Sequence, residues 1–266
     1  MSFKVVIPAR YASTRLPAKP LADLGGRPMI QWVIDAAASS AADEVLVATD
    51  DARIAAVCVH ARAPGRSLAV MTRADHASGT DRIAEVAALR GWDERTIVVN
   101  VQGDEPQLPG VLIDQVAGLL QQHADAHIAT LCSPITSVEE LLDPNVVKVV
   151  TASDAAALYF SRAPIPWHRD GAAQGLASQT STRGARRHLG IYAYRVEALR
   201  RLTALPPGEL ESIEKLEQLR ALQAGMRIVV GLAATAPPAG VDTDKDLSRV
   251  RATLRGPAAS ARDAAL

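Results

Sequence analysis

Cysteine is nearly missing. Of 266 residues only Cys58 and Cys132 carry thiols, far apart and outside any CxxC spacing. That excludes a disulfide framework and a cysteine-rich zinc site, and two thiols with no motif around them read as buried and inert. Neither sign of charge is in surplus: Lys plus Arg and Asp plus Glu stand at 29 each, with a sequence pI near 7.0. A protein that grips duplex nucleic acid by neutralising phosphates carries a basic excess, so no nucleic-acid partner is expected. No apolar run approaches the ~20 residues a membrane helix requires. Residues 1–10, MSFKVVIPAR, are too short and too polar at their end for a signal peptide. A soluble, cytoplasmic chain with no membrane partner is therefore expected. Neither GxGxxG nor GxxxxGK[ST] occurs, which removes the dinucleotide fingerprint and the P-loop. His123 and His127 have i,i+4 spacing, but catalytic zinc wants three protein ligands and no third is near in sequence.

What is present is an ordinary globular balance, 48% hydrophobic and 22% charged, in a chain long enough to bury about three quarters of its unfolded surface. Apolar runs at Phe3–Pro8, Glu44–Thr49, Ser67–Met71, Thr96–Val101, Ile128–Leu131, Val146–Val150, Gly190–Tyr194 and Arg227–Val230 read as strands. Several are apolar throughout, as parallel strands covered on both faces are. Between the early strands, Pro28–Ala38, Thr80–Leu89 and Pro109–Leu120 carry apolar residues at helical spacing. Strand alternating with helix predicts an α/β fold with a doubly wound, mostly parallel sheet. After about Pro134 strands arrive without obvious helices, so a smaller antiparallel lobe or dimerisation arm is expected at about 135–200, within one domain spanning 1–254. Glu209–Ala224 reads as one amphipathic helix ended by Gly225, and 255–266 as a frayed tail.

Chemistry concentrates at strand ends. The turn after the first strand, PARYASTRLPAKP, holds Arg10, Arg15 and Lys19 with no acid before Asp23. In open α/β sheets ligands bind at the carboxyl ends of the strands, and Arg forks with a Lys point charge suit a polyphosphate. The later strand VVNV ends in Gln102-Gly103-Asp104-Glu105-Pro106. Magnesium takes one or two carboxylates with phosphate oxygens and water, which Asp104 could supply; a turn acid capping the next helix is the other reading. Gly240-Val241-Asp242-Thr243-Asp244 precedes a helix opened by Asp246, with Asp244 as its N-cap and Asp242 a possible second metal carboxylate. MTRADHASGTDR lies between a strand and a helix N-terminus, where backbone N–H groups can bind an anion or read a base.

In order along the chain, IPARYASTRLPAKPL, MTRADHASGTDR, VNVQGDEP, ALYFSRAPIPW, RRHLGIYAYR, LEQLR and GVDT resemble the 3-deoxy-manno-octulosonate (Kdo) cytidylyltransferases. These are sugar nucleotidyltransferases of lipopolysaccharide biosynthesis with a Rossmann-like fold. The likeness runs from residue 3 to about 252. It implies that CTP and Kdo are the substrates, that the sugar's anomeric hydroxyl attacks the α-phosphorus, and that Mg2+ is the cofactor. By motif it implies Arg10, Arg15 and Lys19 on the triphosphate, and Asp104 and Asp242 as metal ligands and catalytic residues. Ala9, Arg73, Ser78, Gly79 and Gln102 would surround the nucleotide. Arg162, His188, Tyr192, Glu217 and Gln218 would contact the sugar, and the chain would be a homodimer.

Residues read alone leave alternatives. Without the resemblance His188 reads better as a hydrogen-bonded core histidine, Tyr192 could be packing, and Glu217 a solvated helix charge. Ala18 stands where the family usually has Gly; if the position needs φ > 0, Ala costs stability or shifts the loop. The stretch His60–Ser67 reads as a surface loop, and Arg169–Arg187 matches poorly. Rival functions are a cytidylyltransferase for another acidic sugar (an 8-amino Kdo analogue or a neuraminic acid), a metal-dependent glycosyltransferase, and a catalytically silent nucleotide-binding regulator.

Overall fold

A computed structural model describes residues 2–12, 16, 18–59, 69–172 and 174–259. The first elements are β1 (Lys4–Ala9), a 3-10 turn (Lys19–Leu21), β2 (Asp23–Leu24), β3 (Arg27–Pro28), α1 (Met29–Ala38), β4 (Glu44–Thr49) and α2 (Ala52–Cys58). Then come β5 (Ala69–Met71), α3 (Gly79–Leu89), β6 (Ile97–Asn100), α4 (Gly110–Gln122), β7 (Ile128–Pro134), α5 (Val138–Leu142), β8 (Lys148–Thr151) and β9 (Ala157–Ser161). A second 3-10 turn (Leu176–Ser178) precedes β10 (Arg186–Arg195), α6 (Val196–Ala204), α7 (Glu209–Glu214), α8 (Gln218–Gln223), β11 (Ile228–Leu232) and α9 (Asp244–Ala259). The chain forms two compact units: Met1–Trp92, Asn100–Asp114 and Pro237–Leu266 in one, Asp93–Val99 and Gln115–Ala236 in the other.

In the first unit β1, β4 and β5 pair in parallel, Lys4 opposite Glu44 through Ala9 opposite Thr49, then Val47 opposite Ala69. Val5, Val6, Ile7 and Val47 are wholly buried, which is why these strands lack a polar alternation. Helices α1, α2 and α3 pack on them. In α1 the buried residues are Met29, Ile30, Val33, Ile34 and Ala37, the stripe its spacing predicts. Leu247 and Val250 of α9 join Leu16, Leu24, Met29 and Val241 in one apolar cluster.

The second unit holds the order β11-β7-β10-β6, with β8 against both β10 and β9. Strand β11 runs parallel to β7, whereas β10 is antiparallel to β7 and β8, and β8 to β9. Antiparallel neighbours need no helical crossover, which accounts for the changed strand rhythm after Pro134. The strand expected from Gly190 starts four residues earlier, at Arg186, with a bulge between Leu189 and Tyr192.

Two expectations are corrected. Glu209–Ala224 is not one helix: α7 stops at Glu214, Lys215 is left-handed at φ 54°, and α8 begins at Gln218. The break has a cause, because the Glu214 carbonyl accepts the Arg162 Nε–H at 2.7 Å while Arg220 turns back to hold Glu211 at 2.6 and 2.8 Å. Gly225, at φ +70°, does end the second helix as expected. Asp244 is not the N-cap of the last helix but its first residue. Thr243 caps it instead: its Oγ1 accepts from Asp246 N at 3.2 Å, and Asp246 Oδ2 accepts from Thr243 N at 3.0 Å. Helix α9 continues to Ala259, into the segment expected to fray. The loop expected at His60–Ser67, and residues 260–266 of the tail, lie outside the described residues.

Candidate active site

The buried strand β1 delivers Pro8, Ala9 and Arg10 to the carboxyl edge of the first unit's sheet. Two glycines let neighbouring segments close on it. A Cβ on Gly103 would stand 2.9 Å from the Pro8 carbonyl oxygen, and one on Gly79 3.2 Å from Pro8 Cγ. The result is a cavity of about 240 Å3 lined by Ala9, Arg10, Lys19, Ser78, Gly79, Gln102 and Asp104 among others. All seven are residues the sequence singled out. His76 and Arg82, which it did not, also line the cavity; the only sequence cue for Arg82 was its place one turn after Gly79.

Ala18 is left-handed, at φ 54° and ψ 27°, so the strain expected of a non-glycine here is real. Its N–H reaches back to the Tyr11 carbonyl at 3.3 Å, and its own carbonyl accepts from Leu21 N at 2.8 Å. This turn aims Lys19 inward. Lys19 Nζ donates to Asp104 Oδ2 at 2.7 Å and to Asp242 Oδ1 at 2.9 Å. The Asp242 segment is fixed by its backbone, with Val241 N on the Asp104 carbonyl at 2.9 Å and Asp242 N on Asp246 Oδ2 at 3.2 Å. Hydrogen bonding from Thr243, against a burial penalty and with help from Arg249 and the two amides, pulls the Asp246 carboxyl down to about 2. Asp246 therefore remains an acceptor that holds Asp242.

Helix α3 opens on the cavity with a reciprocal cap: Ser78 Oγ accepts from Asp81 N at 3.1 Å, and Asp81 Oδ2 accepts from Ser78 N at 2.9 Å. A helix N-terminus carries partial positive charge suited to an anion. Arg82 is only 3% exposed, held by Thr72 Oγ1 and by Asp50 Oδ2 at 3.2 Å. His76 bonds Glu85, whose carboxyl is also reached by the Arg73 amide at 3.0 Å. Burial pushes Glu85 up, but those two bonds together with the charges of His76 and Arg73 outweigh it and leave the carboxyl below its usual value. Arg73 itself is exposed and pairs with Asp75 at 3.3 Å, away from the cavity lining. Arg10 is exposed at the cavity rim, and Arg15 lies outside the described residues.

The other five expected site residues all belong to the second unit. Arg162, just past β9, donates through Nε to the Glu214 carbonyl at 2.7 Å and through Nη1 to the Pro144 carbonyl at 2.9 Å. His188 and Tyr192 on β10 lie with ring centroids 5.2 Å apart and planes tilted by 48°, flanked by Phe160 and Tyr194. Burial drives His188 down to about 3 and the Tyr192 phenol well above its usual value, so both rings are neutral. Thr130 Oγ1 lies 3.0 Å from His188 Nε2, and 2.8 and 3.1 Å from the Ile191 and Leu189 carbonyls. The hydroxyl hydrogen goes to a carbonyl, which makes His188 Nε2 the donor and leaves Nδ1 as an acceptor. Glu217 and the buried Gln218 follow the Lys215 break, with Arg220 Nη2 3.6 Å from Glu217 Oε1. His123 and His127 are spent on backbone, on Leu119 O and Arg227 N. No group of three metal-ligating side chains occurs among the described residues.

A parallel sheet with cations, a helix N-terminus and an acid pair at its carboxyl edge is the frame of a nucleotidyl transferase, and the sequence bears that out. The chain belongs to the cytidylyltransferase family, whose pattern matches residues 4–228. It is 54% identical over 255 residues to the 3-deoxy-manno-octulosonate cytidylyltransferase of Xanthomonas euvesicatoria pv. vesicatoria, covering 96% of this chain and 97% of that one. The enzyme of the same name from Thioalkalivibrio sulfidiphilus is also 54% identical, over 96% of this chain and 100% of its own. Among solved structures, a CMP:2-keto-3-deoxy-manno-octonic acid synthetase complexed with CTP superposes with a TM-score of 0.83 at 40% identity, covering 95% of this chain and 98% of that chain.

Proposed function

We propose that this chain is a cytidylyltransferase that joins CMP, from CTP, to the anomeric hydroxyl of Kdo and releases pyrophosphate. The observation that carries this reading is the convergence of Lys19, Asp104 and Asp242 at the cavity, in a chain of this family. Arg10, Arg15 and Lys19 hold the triphosphate, and their charge stabilises the pyrophosphate as the α-phosphorus–oxygen bond breaks. The sugar oxygen forms the new bond to that phosphorus and gives up its proton. No nucleophilic side chain is required, since positioning and electrostatics carry such a transfer. Ser78, Gly79 and Gln102 border the nucleotide, while Arg162, His188, Tyr192, Glu217 and Gln218 recognise the sugar acid. An arginine suits its carboxylate, and neutral rings with donors and acceptors suit its hydroxyls.

Magnesium fits the acid pair. Two carboxylates already share one cationic atom, Lys19 Nζ, and they are the number of protein oxygens this ion takes beside phosphate and water. Bound there it would neutralise phosphate charge as a Lewis acid. Pyrophosphate release tests the reading, with CTP, ATP, GTP and UTP each offered with and without Kdo. Release only with CTP, Kdo and magnesium is expected; release independent of the sugar, or equal with UTP, would overturn it.

The fold also supports a homodimer. Leu158, Trp167 and Leu176 of the second unit stand 62%, 44% and 54% exposed, in the segment expected to carry a dimerisation arm. Sedimentation at micromolar concentration should give twice the 28.1 kDa chain mass; a monomer mass would refute the dimer. No described helix is long and apolar enough to cross a membrane; the use of CTP as a substrate is what supports a cytoplasmic location.

A further inference from the structure

A wholly buried lysine lies on β8 of the second unit. Lys148 is 0% exposed, and its Nζ donates to three backbone carbonyls: Val146 O at 2.6 Å, Arg162 O at 2.6 Å and Asp143 O at 2.9 Å. Three acceptors for three N–H bonds describe an ammonium, since a neutral amine would turn a lone pair on one of those oxygens. Burial pulls its pKa down; Asp143 pushes back, Arg162 adds to the fall, and Glu214 opposes it. A buried charge is costly to desolvate, and an apolar side chain would fill this space without that cost.

The strands explain what the charge holds. Lys148 stands opposite Ser161 on β9 and opposite Arg187 on β10. The residues that follow those partners are Arg162 and His188, and His188 N donates to Val147 O at 2.8 Å. Lys148 fastens the 143–146 turn to the Arg162 backbone, and the Arg162 guanidinium returns to Pro144 O in the same turn. Glu214 closes the ring: it accepts from Ser161 Oγ at 2.6 Å and from Arg162 N at 2.9 Å, immediately before the Lys215 break that leads to Glu217 and Gln218.

We infer that Lys148, seconded by Glu214, is the positioning residue of the acidic-sugar site, fixing the Arg162 guanidinium and the β8–β10 backbone that carries His188. This rests on the assignment of Arg162 and His188 to the sugar made above. Lys148 touches no substrate; it acts through Arg162.

The test is steady-state kinetics of Lys148→Met with CTP and Kdo varied in turn. KM for Kdo should rise at least about tenfold, with KM for CTP within about twofold of wild type, because the CTP cavity lies in the other unit. A merely structural loss would lower active enzyme without separating the two constants. Should the methionine variant not fold, Glu214→Gln keeps the ammonium cage and should give the same split at about threefold. If wild-type protein turns over Kdo and neither variant separates the two KM values, the positioning role is overturned while the sugar site stands. If wild-type protein does not use Kdo, the sugar-site reading fails and this inference fails with it.

Discussion

Lys19 Nζ rests 2.7 Å from Asp104 Oδ2, a contact between residues 85 positions apart. It joins the first strand's basic loop to the turn after β6, so Lys19, the lysine proposed to hold phosphate, and the acid edge form one site. With Asp242 2.9 Å from the same nitrogen, an ammonium and two carboxylates are held ready for a charged ligand.

Asp104→Ala should therefore lower kcat/KM by roughly 10²–10³-fold, the scale seen when one preorganised electrostatic partner is removed. Stability should fall by only about 1 kcal/mol, since Asp104 is about a third exposed and solvent screens the pair. Kinetics and denaturant melts on one preparation check both halves; a variant as active as wild type with magnesium would contradict the role.

Ala18 gives a prediction of opposite sign. A left-handed alanine costs roughly 1–2 kcal/mol, and glycine recovers part of that while adding unfolded-chain entropy. Ala18→Gly should stabilise the chain by about 0.5–1 kcal/mol in a urea melt. A destabilised variant would show that the loop does not need the left-handed turn.

His188 predicts a pH dependence. In the unfolded chain it protonates near pH 6.5, while in the fold burial against Phe160, Tyr192 and Thr130 holds it neutral to about 3. Between those values the unfolded chain binds more protons. The His188 contribution is thus fully present above pH 6.5 and is lost as pH falls, at up to about 1.4 kcal/mol per unit. Melts at pH 7 and 5.5 should show wild type losing more stability than His188→Gln; equal losses would place the proton elsewhere.

The thiols should be silent. Cys58 is buried, its Sγ on the Ile54 carbonyl, and burial pushes it up to about 11. Cys132 is buried too, and burial raises it despite Arg186. Neither should react with a thiol reagent in the native protein, and both should after denaturation. Rapid native labelling would mean that β7 or α2 opens.

Much of this site was legible because it stands on periodicity and short motifs. Buried strands β1 and β4 read as apolar runs. Of the first-unit residues named from the motifs, Ala9, Arg10, Lys19, Ser78, Gly79, Gln102 and Asp104 line the cavity and Asp242 joins it through Lys19. Arg73 does not line it, and Arg15 lies outside the described residues. Other features depend on long-range partners. Nothing near Glu214 signals a helix break, because the group that takes its carbonyl is Arg162, 52 positions away. Lys148 lies within the run Val146–Val150 that reads as a strand, and only the fold brings two carbonyls of the 143–146 turn and that of Arg162 to its ammonium. Thr243, rather than the expected Asp244, caps the last helix, because it is the Thr243 hydroxyl that reaches the Asp246 amide.

The most direct test follows the phosphorus. 31P NMR of CTP, Kdo and magnesium with the enzyme should show one new phosphodiester for each pyrophosphate formed, and no change when Kdo is withheld. Appearance of CDP and orthophosphate, or loss of CTP without the sugar, would contradict a cytidylyl transfer.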